Sequence, residues 1–192
     1  VAAGRPAGGV SVVHNAITSV AVPDIVTADG ARPVRTRVGH SYIKSVMSEH
    51  DAVFGGEHSA HYYFRDFWFA DTGMLAAMHV LAALGESAVP LSEVMAPFER
   101  YAASGEINST VDDAAAVTER VRASFAGRGD VVFDHLDGMT VSHAATADEA
   151  MWWFNLRPSN TEPLLRLNVE AADADTMARV RDDVLMMIRE TR

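Results

Sequence analysis

Two glycines, a carboxylate, a serine and two histidines follow one another in residues 55–61, Gly-Gly-Glu-His-Ser-Ala-His. Paired glycines let a backbone turn tightly and approach a ligand closely. In an extended conformation the spacing puts the Glu57 carboxylate and the Ser59 hydroxyl on one side, an arrangement that suits the vicinal hydroxyls of a sugar. A turn with solvated polar side chains explains the same spacing equally well. A metal site built from Glu57, His58 and His61 is a smaller third possibility.

A second chemically rich segment, residues 157–163, has the sequence Arg-Pro-Ser-Asn-Thr-Glu-Pro. Arg157 offers a bidentate cationic fork, and the neighbouring hydroxyls, amide and backbone N–H groups offer neutral donors, so the segment could surround a phosphate. The two prolines stiffen the loop and lower the entropy cost of ordering it around a ligand. Composition alone favours an ordinary polar turn.

The third segment, Arg-Thr-Arg-Val-Gly-His at residues 35–40, places basic residues at the end of a predicted strand. The carboxyl ends of parallel strands are where α/β folds bind ligands. Spacing alone favours a simple exposed strand face for Arg35 and Arg37.

The elements needed to position these segments follow from periodicity. Strands are predicted at 10–14, 33–38 and 52–54, alternating with helices after Ser19, at 41–49 and from Asp71 or Thr72 to Gly85. This alternation predicts an α/β domain, residues 1–104, with a small, mostly parallel sheet and helices. A turn-rich break at 105–109 marks the predicted domain boundary.

The remaining residues, 105–192, predict an α+β domain: an antiparallel four-stranded sheet with helices on one face. Its predicted strands are 131–135, 139–143, 151–157 and 164–170, the first two joined by a hairpin at Asp137-Gly138. Helices are predicted at 112–125 and 174–190, where apolar residues recur at helical spacing.

Composition narrows the function classes. The 192 residues carry a net charge of −10 and no cysteine, which excludes disulfides, thiolate metal sites and a cysteine nucleophile. The acidic balance argues against general nucleic-acid or membrane-surface binding. The absence of cysteine fits a reducing compartment, and we expect a cytoplasmic location. A chain that starts at Val1 also suggests a fragment.

Taken together, three motifs resemble the α-D-phosphohexomutase family, specifically its phosphomannomutase/phosphoglucomutase branch. The segment 56–61 is similar to the family's sugar-binding loop, 157–163 to its C-terminal phosphate-binding loop, and 36–40 to the third-domain segment that places a basic residue by the active site. The family has four domains, and the chain resembles most of the third and all of the fourth. It is therefore expected to be the C-terminal half of a longer parent enzyme.

The resemblance implies phosphoryl transfer that interconverts hexose 1-phosphate and hexose 6-phosphate of mannose or glucose. A phosphoserine in the first domain donates its phosphoryl group, a bisphosphate intermediate reorients, and Mg²⁺ held by the second domain polarises the transferring group. By motif match, Glu57 and Ser59 bind sugar hydroxyls, Arg37 sits near the reacting end, and His61 assists contacts or proton transfer. The non-transferring phosphate would be held by Arg157, Ser159, Asn160 and Thr161.

The chain departs from the family pattern at several points. Ala60 stands where the family commonly has glycine, and an alanine is expected to take an ordinary backbone conformation. No Ser-His-Asn-Pro run is present, since Ser142-His143 is followed by alanine, and Asp137-Gly138 is followed by methionine instead of aspartate. The nucleophile and metal loops are thus missing. The chain is expected to bind no metal, to be inactive alone, and to depend on the missing N-terminal domains as partners.

Three alternatives remain open at the level of sequence. The chain could be a stand-alone sugar-phosphate-binding module without catalysis, a fragment of a phosphoglucosamine mutase, or a metal-binding protein built on His58 and His61. The motifs do not distinguish mannose, glucose and glucosamine phosphates.

Overall fold

The computed structural model describes residues 9–159 and 162–190. The chain divides into two compact units, residues 1–100 and 101–192, whereas the sequence placed a boundary after residue 104. Each unit has its own sheet and its own hydrophobic core.

The first unit contains a five-stranded mixed sheet with strand order β2-β1-β3-β4-β5. Strand β1 pairs in parallel with β2 and β3, and β4 and β5 continue the sheet in antiparallel fashion. The strands are β1 (Ser11–Asn15), β2 (Arg32–Thr36), β3 (Phe54–Gly56), β4 (Tyr62–Phe64) and β5 (Ala70–Asp71). The helices are α1 (Ala21–Ala28), α2 (His40–Glu49), α3 (Gly73–Gly85) and α4 (Leu91–Met95).

Packing of α2 on the parallel strands forms the core of this unit. Ile43 and Met47, one turn apart on α2, are fully buried against β1 and β3. Gly55 allows this close approach, because a Cβ there would lie 2.6 Å from the Met47 sulfur. The strand predicted at 52–54 begins two residues later, at Phe54.

Helix α3 begins and ends as predicted, with the Thr72 hydroxyl accepting from the Leu75 N–H at its N-cap. The apolar residues that recur at helical spacing along α3 are largely exposed in the structure. Met74, Met78 and Leu81 expose 76%, 60% and 65% of their surface. These residues therefore contribute little to the core of the described first unit.

The second unit is an all-antiparallel sheet with strand order β6-β10-β9-β8-β7. Its strands are β6 (Ala102–Thr110), β7 (Val131–Asp134), β8 (Met139–His143), β9 (Trp152–Pro158) and β10 (Leu164–Ala171). Helices α5 (Ala114–Phe125) and α6 (Ala174–Arg189) pack on one face of the sheet, where alternate strand residues such as Phe154 and Leu167 form the core. The predicted fold class is confirmed, with one strand more than expected.

The additional strand, β6, lies where the sequence predicted a turn-rich break at 105–109. Gly105 has a φ of +67° within β6, and the pairing with β10 shifts register between Asn168 and Glu170. A glycine at such a bulge lets a strand bend without ending. The polar composition of this segment concealed a strand that pairs with the far end of the chain.

No helix among the described residues is both long and apolar enough to cross a membrane.

Candidate functional site

Glu57 lies directly after β3, at the edge of the sheet where the parallel strands end. Strands β1, β2 and β3 run in the same direction, so Arg37, which follows β2, and Glu57 lie at the same carboxyl-end edge. Arg37 is exposed, with its guanidinium carbon 4.7 Å from the centroid of the Tyr42 ring. The edge predicted for ligand binding therefore carries both residues.

The Glu57 carboxylate is buried, with only 6% of the residue exposed, and both of its oxygens accept hydrogen bonds. Oε1 accepts from the Gly39 N–H at 3.0 Å, and Oε2 accepts from the Tyr63 hydroxyl at 2.6 Å. Burial, reinforced by the hydrogen bond to Glu57 and its charge, raises the pKa of Tyr63 well above its ordinary value. Glu57 thus ties the start of α2 to the middle of β4.

The segment 57–61 is a tight turn and not the extended conformation assumed by the two-residue spacing. The Glu57 N–H donates to the His61 carbonyl and the Ala60 N–H donates to the Glu57 carbonyl, both at 3.0 Å. As a result Glu57 points inward while Ser59 and His58 are exposed. The two side chains proposed for one sugar therefore differ sharply in burial.

Ala60 has a φ of +64°, in the left-handed region that favours glycine. The expectation of an ordinary backbone conformation at this position was wrong. The two hydrogen bonds that close the turn hold Ala60 in this conformation, so the alanine is accommodated in a glycine-type geometry at some cost in strain.

His61 lies beside two residues that the sequence did not connect with it. Its Nδ1 is 3.0 Å from Asp71 Oδ2, and its ring centroid is 4.5 Å from that of His40. The hydrogen bond with His61 lowers the pKa of Asp71. The metal alternative grouped His61 with Glu57 and His58, whereas the structure groups it with His40 and Asp71.

Arg157 occupies the end of β9, directly opposite Arg166 on β10. The loop that connects these strands is closed at its base by the Ser159 N–H, which donates to the Leu164 carbonyl at 2.8 Å. Asn160 and Thr161, also expected to hold phosphate, lie outside the described residues. Pairing of β9 with β10 gives the backbone at Arg157 a rigid support.

Arg166 is a candidate site residue that no sequence motif identified. Arg157 and Arg166 both lie near Glu106 on β6, with closest nitrogen–oxygen distances of 3.9 and 3.6 Å. The Nε atoms of both arginines are buried and have no hydrogen-bond partner among the described residues. Two guanidinium groups and one carboxylate leave an excess of one positive charge at this place, so the group is suited to an anion.

Glycine at the β7–β8 hairpin permits this arrangement. Gly138 has a φ of +68°, and a Cβ there would lie 2.5 Å from the Leu156 carbonyl oxygen and 3.0 Å from the Arg157 Cα. Asp137-Gly138 therefore supports the backbone beside Arg157 and forms the predicted hairpin. Met139, which follows Gly138, is buried in the core and has no carboxylate with which to bind a metal ion.

The structure also locates Ser142-His143, the pair that is followed by alanine and so does not form a Ser-His-Asn-Pro run. Ser142 and His143 lie within β8, and His143 is 1% exposed. Four residues of the candidate sites were not identified from sequence, because each is an ordinary sheet residue there: Tyr63, Asp71, Glu106 and Arg166. Only strand pairing brings them to the motifs, and no local signal identifies them.

Comparison with known proteins gives consistent results for both units. Residues 2–101 match the family model for phosphoglucomutase/phosphomannomutase, alpha/beta/alpha domain III, and residues 106–186 match that for the phosphoglucomutase/phosphomannomutase C-terminal domain. A phosphomannomutase of Methanocaldococcus jannaschii is 38% identical over 177 residues, and one of Salmonella typhimurium is 39% identical over 185 residues. These alignments cover 92% and 96% of the chain.

Solved structures show the same fold. A phosphoglucomutase/phosphomannomutase family protein from Burkholderia thailandensis superposes with a TM-score of 0.75 at 25% identity, covering 95% of this chain and 38% of its own. An Aspergillus fumigatus N-acetylphosphoglucosamine mutase, solved with GlcNAc-6P and magnesium, has a TM-score of 0.61 at 14% identity and so shares the fold. The chain spans 37% of the length of the two phosphomannomutases.

Proposed function

Because the chain belongs to the phosphoglucomutase/phosphomannomutase family, we propose that it is the substrate-binding C-terminal half of a phosphohexomutase. The parent would interconvert hexose 1-phosphate and hexose 6-phosphate through a phosphoserine and a bisphosphate intermediate. The missing N-terminal domains of the same parent would supply the serine and Mg²⁺. Since the chain has no cysteine, a reducing, cytoplasmic compartment suits the parent.

The observation that carries this proposal is the arginine pair on β9 and β10. Like charges directly opposite each other on a sheet are destabilising, and Glu106 offsets only one of the two charges here. A phosphate group, which carries close to two negative charges at neutral pH, would balance the excess. Arg157 supplies charge-assisted hydrogen bonds, and the loop residues Ser159, Asn160 and Thr161 supply neutral donors.

In the first unit, we propose that the turn 57–61 contacts the sugar. Its exposed residues, His58 and Ser59, are accessible to a ligand. Glu57 stabilises the turn through its two hydrogen bonds, and the small exposed part of its carboxylate can accept a hydrogen bond from the sugar. We propose that His61, which is half-exposed and lies 3.0 Å from Asp71, exchanges a proton with a sugar hydroxyl. Arg37 adds a positive charge at the same sheet edge.

The residues described here do not fit the Mg²⁺ of the parent reaction. Mg²⁺ prefers oxygen ligands in octahedral geometry, and the clusters of potential ligands among the described residues each include histidine. We therefore assign Mg²⁺ to another part of the parent and expect the isolated chain to show no turnover.

The test is a calorimetric measurement of mannose 1-phosphate binding to the 192-residue chain, with mannose as the non-phosphorylated control. We expect weak binding of the phosphate ester only. Arg157→Ala should weaken binding roughly 10-fold to 100-fold, the equivalent of one charge-assisted hydrogen bond of about 1.5–3 kcal/mol. Arg157→Lys should fall between wild type and alanine, because lysine keeps the charge and loses the fork. Arg122→Ala is the matched control, since Arg122 pairs with Glu119 on α5.

Glu106→Gln separates a phosphate site from a purely structural ion pair. If the arginines bind phosphate, removing the competing carboxylate should tighten binding of mannose 1-phosphate several-fold while lowering stability of the ligand-free chain. If Arg157 only braces the sheet, Glu106→Gln and Arg157→Ala should both lower stability and leave binding unchanged. Submicromolar binding would favour a stand-alone module, and turnover by the pure chain would overturn the fragment assignment.

A further inference from the structure

Beside the turn 57–61, three potential metal ligands from three different elements lie close together. His40 is the first residue of α2, His61 immediately precedes β4, and Asp71 ends β5. One ligand atom of each lies within 4.8 Å of those of the other two. We propose that His40, His61 and Asp71 bind one divalent transition-metal ion of the zinc type. This site goes beyond the proposed function. Because it uses the His61 and Asp71 side chains of the proposed sugar contact, a bound ion would compete with the sugar for His61.

The sheet fixes two of the three ligands relative to each other. Strands β4 and β5 are antiparallel, with Tyr63 opposite Asp71, and the Thr72 N–H donates to the Tyr62 carbonyl at 2.9 Å. His61 is two residues before Tyr63 and therefore lies on the same side of the chain. This register accounts for the 3.0 Å distance between His61 Nδ1 and Asp71 Oδ2.

The third ligand, His40, is held by a hydrogen-bond relay. The single proton of the Tyr63 hydroxyl is donated to Glu57 Oε2, and the hydroxyl oxygen lies 2.5 Å from His40 Nδ1. His40 Nδ1 must then carry a proton and donate it to that oxygen, which leaves Nε2 with a free lone pair. Histidine ligands of metals are typically oriented in this way, through a second ring nitrogen bound to a carboxylate or its relay.

The donor set selects the class of ion. Two imidazoles and one carboxylate suit Zn²⁺, Co²⁺, Ni²⁺ and Cu²⁺, whereas Mg²⁺ prefers oxygen donors alone. Zinc sites with three protein ligands keep a fourth position for water. His61 and Asp71 have side-chain exposures of 42% and 41%, so solvent can reach that position.

The distances require a small closure on binding. Zinc–ligand bonds of ~2.0–2.2 Å in a tetrahedral site place the ligand atoms roughly 3.4 Å apart. The His61–Asp71 pair is already at 3.0 Å, so the adjustment falls on the distances to His40. Asp71 and His61 are half-exposed, and rotation of their side chains can supply this movement.

The second cluster of potential ligands, Asp130, His143 and Glu149, serves as an internal contrast. Its carboxylates are already paired with guanidinium groups, Arg128 at 2.6 Å from each and Arg179 at 2.7 Å from Glu149. A cation there would have to displace two arginines and reach a histidine that is 1% exposed. Described residues around the first cluster show no such ion pair to arginine or lysine.

The test uses the metal-free 192-residue chain and metal ions alone. Calorimetric titration with Zn²⁺ should give one site, titration with Mg²⁺ should give none, and Co²⁺ should produce the visible absorption bands of a four-coordinate ion. His61→Gln and Asp71→Asn should each weaken Zn²⁺ binding at least ~10-fold, because outer-shell changes alone cost 10-fold to 100-fold. His58→Gln, an exposed histidine of the same turn, should bind as wild type.

Four results would overturn the proposal. These are absence of saturable Zn²⁺ binding, wild-type affinity in His61→Gln, an equal loss in His58→Gln, and a loss in Glu149→Gln that Asp71→Asn does not share. Circular dichroism of each variant checks that the fold is retained. If His61→Gln does not fold, Asp71→Asn still tests the site, because asparagine has nearly the same shape as aspartate. Because no readout involves sugar phosphate or turnover, the outcome is independent of the mutase proposal.

Discussion

Replacing Glu57 tests whether its carboxylate stabilises the turn in the absence of ligand or serves only to bind a ligand. Both carboxylate oxygens are engaged, one by the Gly39 N–H and one by the Tyr63 hydroxyl. Glu57→Ala removes both acceptors from a residue that is 6% exposed. Hydrogen bonds to charged groups contribute ~1.5–3 kcal/mol each, so we expect a loss of about 3 kcal/mol or more in the free energy of unfolding of the first unit.

Glu57→Gln should cost less because the relay can reverse. The glutamine Oε1 can still accept from the Gly39 N–H, and its Nε2 can donate to the Tyr63 oxygen. The Tyr63 proton is then free to be donated to His40 Nδ1 instead. Each of the two bonds changes from charge-assisted to neutral, which is a loss of roughly 1 kcal/mol per bond and about 2 kcal/mol in total.

Two measurements check this reasoning. Hydrogen exchange of the core amides Ile43 and Tyr63 reports the free energy of opening of the first unit, and the imidazole ¹⁵N shifts of His40 report its tautomer. Wild type should show a proton on His40 Nδ1, and Glu57→Gln should show it on Nε2. Ser59→Ala, in the same turn but exposed, should change stability by less than ~0.5 kcal/mol. Full stability in Glu57→Ala, or an unchanged tautomer in Glu57→Gln, would refute the relay.

Two further perturbations probe strain and charge. Ala60→Gly should raise the free energy of unfolding in urea denaturation by up to about 1.6 kcal/mol. It removes ~1–2 kcal/mol of left-handed strain, while the more flexible unfolded chain offsets ~0.4–1 kcal/mol of that gain. A less stable glycine variant would contradict this account. Burial works against ionisation of Glu149, but hydrogen bonds from Arg128, Arg179 and Trp152 bring its pKa down to about 2. A depressed carboxylate pKa contributes stability that is present above the unfolded-state pKa of 4.5 and is lost as the pH falls toward the folded-state value. Glu149→Gln should therefore be less stable than wild type at pH 7, and the difference should shrink between about pH 5 and pH 2; parallel pH profiles would show that the arginines do not stabilise the ionised form.

The elements that sequence alone predicted well are those with strong periodicity. Helix α2 and strand β1 were located within one residue of their observed bounds, since their apolar residues recur at the spacing of the element. Strand β6 was missed because its run of small and polar residues indicates a turn. It is a strand because β10 offers a paired edge, a partner more than 50 residues away in sequence.

For the candidate site, the sequence predicted the residue types but not their local conformation. The sequence identified residue types suited to their chemistry, such as Arg157 beside a polar loop and Glu57 after paired glycines. It did not predict the direction in which Glu57 points, because a tight turn reverses the assumption of an extended segment. Nor did the sequence predict the left-handed backbone conformation of Ala60, because that conformation is imposed by hydrogen bonds across the turn.

Both motifs depend on partners that only the sheets bring to them, and this dependence suggests how the two sites are built. Glu57 is held by groups 18 residues before it and 6 residues after it, and both belong to elements that flank β3 or pair with it. Arg157 meets Glu106 and Arg166 because β10 pairs with β9 on one side and with β6 on the other. In each case a short motif supplies the ligand-type side chain, and neighbouring strands supply the charge or hydrogen bond that orients it. A variant of Tyr63 or Glu106 should therefore alter ligand binding as strongly as many changes within the motifs themselves.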